Sequence, residues 1–303
     1  MNKEEAKKFL ENHGYNVKQF LGEGSFSKVF KCANPKKELV AAKVICVEDE
    51  QQIQREINTA KEIEAAKPLD FSKYKFEFSQ AFKQRAKNYY KYLNVPTVKE
   101  FSGGTFNVVV EAPLVDSDTW KSIIEGPNEG KVPYDKFKQV AKSVLKALTV
   151  LNARGIAHFD IKPENIYQCT SASGITKFSL GDFGLSGETI DPKTEQEEYR
   201  RKGSPAFAAP ELFGSKLDQK QIKKVDVYSL GATLFLMFLA KKKDFINANQ
   251  LPNAIKRLQS GTIYANTNKE IKRKFLDFVK YCTTLNPAQR PTPSQALTHP
   301  FLT

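Results

Sequence analysis

Four polar residues in the second half of the chain have the types and spacing that phosphate and magnesium chemistry requires. The segment His158–Asn165 contains Asp160 and Lys162 and ends in Asn165, and Asp182 opens an Asp-Phe-Gly tripeptide further on. Mg²⁺ takes hard oxygen ligands and fills the rest of its shell with water and substrate phosphate. Two acids, a lysine and an asparagine in these loops therefore indicate a site for a magnesium-bound phosphate group.

A glycine-containing segment near the start of the chain can bring backbone N–H groups close to phosphate oxygens. Gly22 and Gly24 lie in the segment Leu21–Val29, between two predicted strands. The segment is therefore predicted to be a β-hairpin, and not the strand-to-helix turn of a dinucleotide-binding fold. Ser27 occupies the position of a third glycine, and an ordinary turn is the alternative interpretation.

Lys43 ends the apolar run Val40–Lys43 in a predicted strand. A lysine on a buried strand face needs an anion, because an unpaired buried charge is very costly. We expect a carboxylate from the helix that follows, with Glu56 as the first candidate and Glu62 as the second. The alternative is a lysine on the exposed side of the strand.

The elements that must position these residues change in character along the chain. Short β-type runs fill the first third, and long amphipathic helices follow it. The predicted strands are 17–21, 29–33, 39–47, 95–100 and 106–111, and the predicted helices are 1–12, 49–67, 134–152 and 271–284. A β-rich first third followed by a helical remainder predicts an α+β protein with two lobes.

Composition favours a packed protein with a basic surface. Lys and Arg outnumber Asp and Glu by 47 to 34, a formal net charge of +13. Such an excess suits polyanionic partners, although a merely basic surface is equally compatible with it. Because the four cysteines form no CxxC pair and no apolar leader is visible, we expect a cytoplasmic or nuclear protein.

Two further segments bear on possible partners. The apolar run 225–240 would form a helix of about 24 Å, shorter than the roughly 30 Å hydrocarbon core, so it predicts a buried core helix and no membrane span. The insert 69–93 alternates aromatic and basic residues, which is compatible with nucleic-acid or acidic-lipid contact. More often such a pattern comes from ordinary elements whose aromatic residues pack and whose lysines are solvated, so such binding has no other support in the sequence.

In combination, the motifs resemble those of a eukaryotic-type protein kinase. The glycine segment, the strand lysine, the His158–Asn165 loop and the Asp-Phe-Gly tripeptide occur in the order of that family. Further matches are Ala209-Pro210-Glu211, Asp226 in Asp-Val-Tyr-Ser-Leu-Gly, Arg290 in Asn-Pro-Ala-Gln-Arg-Pro, and the closing His-Pro-Phe-Leu. The string His-Phe-Asp-Ile-Lys-Pro-Glu-Asn also resembles death-associated protein kinases of the calcium/calmodulin-dependent group.

The resemblance covers residues 14–303 and implies a single bilobal kinase domain over 1–303. The β-rich N-lobe with one main helix would occupy about 14–113 and the mostly helical C-lobe about 114–303, preceded by a short helix at 1–12. Because the chain ends about where such a catalytic domain ends, no calmodulin-binding tail is expected.

The family resemblance also implies an activity, the transfer of the γ-phosphoryl group of ATP, with Mg²⁺, to protein serine or threonine hydroxyls. Asp160 would accept or orient the hydroxyl proton, Lys162 would neutralise the γ-phosphoryl group, and Asn165 and Asp182 would hold magnesium. Lys43 would bind the α- and β-phosphates. The nucleotide-binding residues that the family implies are Leu21, Gly22, Gly24, Val29, Ala41, Lys43, Glu56, Val110, Glu111 and Ala112.

A preference for serine and threonine rests on two segments, 160–165 and 203–207, that resemble the Ser/Thr forms of the family. In those kinases a hydroxyl at the position of Ser204 faces the substrate and bonds the catalytic aspartate and lysine. The alternative is a nucleotide-binding pseudokinase scaffold without phosphoryl transfer.

The sequence departs from the family at two places. Phe159 stands where many kinases have an arginine that clamps a phosphorylated activation loop, so we expect activity that depends little on phosphorylation of Ser186, Thr189 or Thr194. In the adenine-contacting stretch 108–113, Val110 is the expected gatekeeper. Pro113 is the third residue beyond it and has no N–H to donate, unless the register shifts so that Leu114 donates.

Overall fold

A computed structural model describes residues 2–24, 27–46, 57–58, 61, 93–94, 97–100, 106–119, 121–122, 132–170, 173–188, 203–213, 219–239, 251–260 and 269–303. The chain divides into two compact units, one comprising 1–70 with 94–115 and the other 71–93 with 116–303. The first is built on an antiparallel sheet and the second is mainly helical. The α+β prediction is therefore confirmed, whereas the extent of the kinase domain and its lobe boundaries stay predictions.

The first unit contains a five-stranded antiparallel sheet. Its strands are β1 (Asn16–Gly24), β2 (Ser27–Ala33), β3 (Leu39–Cys46), β4 (Thr97–Glu100) and β5 (Phe106–Pro113), in the spatial order β1-β2-β3-β5-β4. The pairing of β1 with β2 reaches Gly24 opposite Ser27, so the glycine segment is the predicted hairpin. Strand β5 extends beyond its predicted end at Glu111 to Pro113, which pairs with Val40.

One face of this sheet is covered by helix α1 (Lys3–Asn12). A capping box starts the helix, since Asn2 and Glu5 each accept the other's backbone N–H through their side chains. Three apolar side chains of α1 are buried against the sheet, Ala6, Phe9 and Leu10. The sheet contributes Phe30, Cys32, Val40, Ala42, Val44 and Val109 to the same cluster. The opposite face of the sheet is therefore the one left for other contacts.

The second unit is mainly helical, with short strands between the helices. Its helices are α2 (Tyr134–Ala153), α3 (Gln219–Ile222), α4 (Val225–Phe238), α5 (Leu251–Ser260), α6 (Lys269–Cys282) and α7 (Pro293–Ala296). Its strands are β6 (Ser117–Asp118), β7 (Ile156–Ala157), β8 (Ile166–Thr170), β9 (Thr176–Leu180) and β10 (Gly187–Glu188). They form the sheets β6-β8-β9 and β10-β7. Within the residues described, none of the helices has the length and apolarity to cross a membrane.

Helix α4 is the central element of the second unit and matches the predicted buried core helix. It packs against α2 and α6, and almost all of its side chains are buried. Gly231 allows a close approach to α6, because a Cβ there would lie 2.7 Å from Thr283 Cγ2 and 2.8 Å from Cys282 Cβ. Aromatic rings of α2, α4 and α6 also meet, and the ring centre of Phe275 lies 5.1 Å from those of Phe137 and Phe238.

Several predictions fall outside the described part of the chain. Of the predicted helix 49–67, only residues 57, 58 and 61 are described, so Glu56 and Glu62 are not. The insert 69–93 is described only at Leu93, which forms an isolated bridge to Leu180.

Replacing Gly231 by alanine tests the close approach of α4 to α6, because two physical effects would change the free energy of unfolding in opposite directions. Helix propensity alone would raise the free energy of unfolding by about 1 kcal/mol. Overpacking at a contact below 3 Å lowers it by roughly 1–3 kcal/mol, and we expect this effect to dominate. Urea denaturation of Gly231→Ala measures the difference, and a variant more stable than the wild type would contradict the close approach.

Candidate active site

Asp226, in the first turn of α4, fixes the start of the loop 158–165. Its carboxylate accepts the backbone N–H of His158 at 2.8 Å and that of Phe159 at 2.9 Å. Burial raises the pKa of Asp226, while the two N–H groups stabilise its ionised form. A buried carboxylate without such donors would be strongly destabilising. The carboxylate and the loop backbone therefore hold each other in place.

Phe159 adopts a backbone conformation that is rare for a bulky residue. Its φ is +65° and its side chain is buried. Such a conformation persists only where the surroundings impose it, and here the bond to Asp226 and the approach of Gly203 do so. A Cβ at Gly203 would lie 2.2 Å from the carbonyl oxygen of Phe159, so the segment 203–207 can pack against Phe159 only with glycine at this position. Where many kinases have an arginine, this chain thus has a buried apolar side chain.

Asp160, Lys162 and Ser204 lie in direct contact. Lys162 Nζ is 2.7 Å from Asp160 Oδ2. The Ser204 hydroxyl donates to Asp160 Oδ1 at 2.9 Å, and the Ser204 backbone N–H donates to the same oxygen at 3.1 Å. Lys162 Nζ also donates to Ser204 Oγ at 3.2 Å. The three side chains form a closed network in which Asp160 is mostly buried.

Asn165 connects this network to the predicted metal ligands. Its amide Nδ2 donates to the Asp160 carbonyl at 2.8 Å and to Asp160 Oδ2 at 3.0 Å. These two bonds use the nitrogen, so Oδ1 is the atom that would meet a metal ion. The Asn165 carbonyl accepts the N–H of Gly181 at 3.1 Å, directly before Asp182.

Asn165 and Asp182 therefore lie at the same end of the β8–β9 hairpin, whose terminal pair is Ile166 with Leu180. Asp182 is exposed and has φ +59°, a second left-handed conformation in this region. An amide oxygen and a carboxylate are the hard ligands that Mg²⁺ prefers, with water and phosphate completing its shell. The residues present thus fit a magnesium ion bound together with a phosphate-bearing substrate.

Two buried threonines donate hydrogen bonds to backbone carbonyls of the loop 158–165, and sequence reasoning missed both. The Thr119 hydroxyl donates to the Pro163 carbonyl at 2.7 Å, and the Thr233 hydroxyl donates to the Ile161 carbonyl at 3.2 Å. Both side chains are fully buried. The only sequence signal was a hydroxyl in an otherwise apolar run at Thr233, and no motif marks Thr119.

The segment that follows Asp182 is anchored at its start. Buried Ser186 donates its hydroxyl to the His158 carbonyl at 3.3 Å. Strand β10 then pairs with β7, with Gly187 opposite Ala157. Residues 189–202, which include Thr189 and Thr194, lie outside the described residues.

A buried ion pair anchors the end of the same segment. Arg290 donates to both carboxylate oxygens of Glu211, at 2.5 and 3.0 Å, and its Nε donates to the Thr284 carbonyl at 2.9 Å. Planar bidentate geometry of this kind is strong and orientationally specific. Both motifs singled out in the sequence around these residues therefore have a structural role.

In the first unit, five of the ten predicted nucleotide-binding residues share one face of the sheet. The register places Val29, Lys43 and Val110 in one row across β2, β3 and β5, and Ala41 beside Ala112 in the next. Side chains directly opposite each other on antiparallel strands point to the same face. This is the face opposite α1.

The other nucleotide-binding predictions differ among themselves. Gly22 pairs with Val29 in the hairpin, and Leu21 beside it is 40% exposed. Glu111 has its side chain on the α1 face, so only its backbone is available on the face predicted to bind the nucleotide. The ladder between β3 and β5 is regular from Val108 to Pro113. This favours the register in which Pro113, and not Leu114, occupies the position of the adenine donor, where it has no N–H to offer.

Comparison with known proteins gives a consistent family assignment. The sequence model described as "Protein kinase domain" matches residues 15–302. The chain is 29% identical over 293 residues to serine/threonine-protein kinase dst1 of Dictyostelium discoideum, covering 95% of this chain and 34% of that protein. It is 32% identical over 175 residues to the calcium/calmodulin-dependent protein kinase cmkA of Emericella nidulans, covering 57% of this chain and 40% of that protein.

A third relative is the dual specificity protein kinase TTK of Mus musculus, which is 24% identical over 299 residues, covering 95% of this chain and 31% of that protein. The chain thus spans between 31% and 40% of the length of these three relatives. The family inferred from the sequence motifs is confirmed, and this chain belongs to the protein kinase domain family.

Proposed function

We propose that this chain is a serine/threonine protein kinase that transfers the γ-phosphoryl group of ATP, with Mg²⁺, to protein hydroxyls. The observation that carries the proposal is the contact network of Asp160, Lys162, Ser204 and Asn165. An acid, a cation, a hydroxyl and an amide meet within hydrogen-bond distance there, as phosphoryl transfer to an alcohol requires.

Each side chain of the network would take a separate part in the transfer. Asp160 would accept or orient the proton of the acceptor hydroxyl, and its contacts with Ser204 and Asn165 hold the carboxylate in one orientation. Lys162 would offset the negative charge that develops on the transferred group. Magnesium ions held by Asn165 and Asp182 would neutralise and orient the phosphate oxygens. Such chemistry depends mainly on positioning, which fits a loop fixed by buried bonds.

The serine/threonine preference is supported by Ser204. Its hydroxyl bonds Asp160 and accepts from Lys162, the arrangement expected for the Ser/Thr form of the segment 203–207. Two of the relatives have names that state or imply other regulation or specificity, calcium/calmodulin dependence and dual specificity. Acceptor specificity is therefore the part of the proposal that the substrate assay must separate.

Phosphoryl transfer by the purified chain tests the proposal directly. Wild type, Asp160→Asn and the control Asp135→Asn, an exposed aspartate on α2, are incubated with radiolabelled ATP, Mg²⁺ and peptide pools carrying serine, threonine or tyrosine. We expect label on serine and threonine pools, a loss of at least ~10²-fold for Asp160→Asn, and unchanged transfer for Asp135→Asn.

The outcomes of this assay separate the alternatives. A wild type that binds MgATP but transfers no label would contradict the enzyme and support a nucleotide-binding pseudokinase scaffold. Label confined to tyrosine would contradict only the acceptor preference. Equal loss in Asp160→Asn and Asp135→Asn would show that damage to the fold, and not the catalytic carboxylate, explains the effect.

We also infer that the activity needs no phosphate on the activation loop. Phe159 occupies its position by burial and brings no charge that could pair with a phosphate. The start of this loop, 182–211, is held by Ser186 and the β10–β7 pair. Its end is held by Gly203 and by the ion pair of Glu211 with Arg290. Ser186 is buried and its hydroxyl is engaged, so it is a poor acceptor for phosphate itself.

Protein stripped of phosphate tests this inference. Phosphatase-treated protein, checked by intact mass, and the double variant Thr189→Ala/Thr194→Ala should both keep initial rates within about twofold of untreated wild type. Rates are taken before self-phosphorylation accumulates. Inactive stripped protein that regains activity as phosphate appears on Thr189 or Thr194 would disprove phosphate independence.

The cysteines bear on the cellular location. The four are scattered along the sequence with no CxxC pair, which favours a reducing compartment such as the cytoplasm or nucleus. Binding of nucleic acid or acidic lipid by the insert 69–93 gains no support, because all of the insert except Leu93 lies outside the described residues.

A further inference from the structure

Glu111 places a carboxylate inside the core between the sheet and α1. It stands opposite Ala42 across the β3–β5 ladder, and Ala42 belongs to the apolar cluster that α1 covers. The Glu111 side chain is only 7% exposed. An ionised carboxylate at such a position is costly unless hydrogen-bond donors compensate it.

Three donors from separate parts of the first unit meet this carboxylate. The Tyr15 hydroxyl donates to Oε1 at 2.5 Å, Lys99 Nζ lies 2.9 Å from the same oxygen, and Asn34 Nδ2 donates to Oε2 at 3.3 Å. Tyr15 precedes β1, Asn34 follows β2, and Lys99 lies in β4. Through one side chain, strand β5 is therefore tied to three other points of the unit.

The protonation states of Glu111 and Tyr15 strengthen the hydrogen bond between them. Burial alone would raise the pKa of Glu111, but the hydrogen bonds from Tyr15, Lys99 and Asn34 bring the pKa below its usual value. Burial and the bond to Glu111 raise the pKa of Tyr15, so its hydroxyl remains a proton donor. A donor to an ionised acceptor makes a short, strong hydrogen bond.

Tyr15 is itself held in place by α1. Its backbone N–H donates to the Leu10 carbonyl in the last turn of the helix at 3.0 Å, after Gly14 with φ +82° reverses the chain. Lys99 Nζ lies 6.0 Å from the centre of the Tyr15 ring. The phenol is therefore a fixed donor and not a side chain that adapts to Glu111.

The residues on either side of Glu111 face the other way. Val110 and Ala112 lie in the rows of Lys43 and Ala41, on the face assigned to the nucleotide. Because neighbours along a strand alternate between faces, a change in the orientation of Glu111 changes that of both neighbours. The contacts on the α1 face thus set the backbone on the nucleotide face.

We propose that Tyr15 is a positioning residue for nucleotide binding, acting through Glu111 on the segment Val110–Ala112 that would meet adenine. The proposal rests on the proposed function, which assigns adenine to this strand. Tyr15 touches no nucleotide and acts only through the carboxylate on the far face of the sheet.

The variant Tyr15→Phe removes one hydroxyl and keeps the ring. We expect the KM for ATP and the Kd for MgADP, measured by calorimetry, to rise by about fivefold, with kcat and the KM for peptide within about twofold. Tyr281→Phe, at an exposed ring on α6 in the second unit, is the matched control and should change neither constant. Glu111→Gln keeps an acceptor without the charge, and it should raise the Kd for MgADP by a smaller factor when Tyr15→Phe is already present than it does in the wild type.

A merely structural role gives a different result. Tyr15→Phe that lowers the melting temperature or the active fraction, with unchanged Kd for MgADP, would overturn the proposal. Should Tyr15→Phe fail to fold, Lys99→Met removes another donor to the same carboxylate and must weaken MgADP binding. Unchanged binding in that variant overturns the proposal as well.

The binding measurement separates this proposal from the proposed function. Wild type that binds MgADP without transferring phosphate, together with weaker binding by Tyr15→Phe, contradicts the kinase activity and leaves the role of Tyr15 standing. Wild type that transfers phosphate while Tyr15→Phe binds MgADP normally contradicts the role of Tyr15 alone. Wild type that binds no MgADP overturns both.

Discussion

The carboxylate of Asp226 and the two backbone N–H groups it accepts are the contact on which the candidate site depends. The carboxylate lies in the core of the second unit, where an unpaired charge would be strongly destabilising, and the donors belong to the first residues of the loop 158–165. The positive φ of Phe159 follows from this attachment, and it directs the next residue, Asp160, into the network with Lys162 and Ser204. The rare backbone conformation of Phe159 thus orients the Asp160 carboxylate within this network.

The first unit uses its sheet in a comparable way, with different chemistry on its two faces. One face is an apolar core closed by α1, and it contains a single compensated carboxylate, Glu111, among the side chains described for that cluster. The other face presents Lys43 and Val110. Because neighbouring residues of a strand point to opposite faces, the proposed role of Tyr15 links the core under α1 to the face proposed for the nucleotide.

Much of this arrangement could be predicted from the sequence, because the features concerned are periodic or carried by spaced motifs. The buried helix 225–240 and the amphipathic helix 134–152 lie within two residues of α4 and α2. The bracing hydroxyls of Thr119 and Thr233 could not be predicted, because a buried threonine has the size of valine and only its acceptor reveals its role. The side-chain direction of Glu111 depends on a register that the sequence leaves open.

In the proposed mechanism Asp160 meets an acceptor hydroxyl while Asn165 and Asp182 hold the metal. A crystal structure with a non-hydrolysable ATP analogue, Mg²⁺ and a serine peptide would show both contacts. We expect the serine hydroxyl within about 2.6–3.2 Å of the Asp160 carboxylate and an ion about 2.1 Å from Asn165 Oδ1 and an Asp182 oxygen. A complex in which the ion binds other residues, or in which the hydroxyl lies out of reach of Asp160, would contradict it.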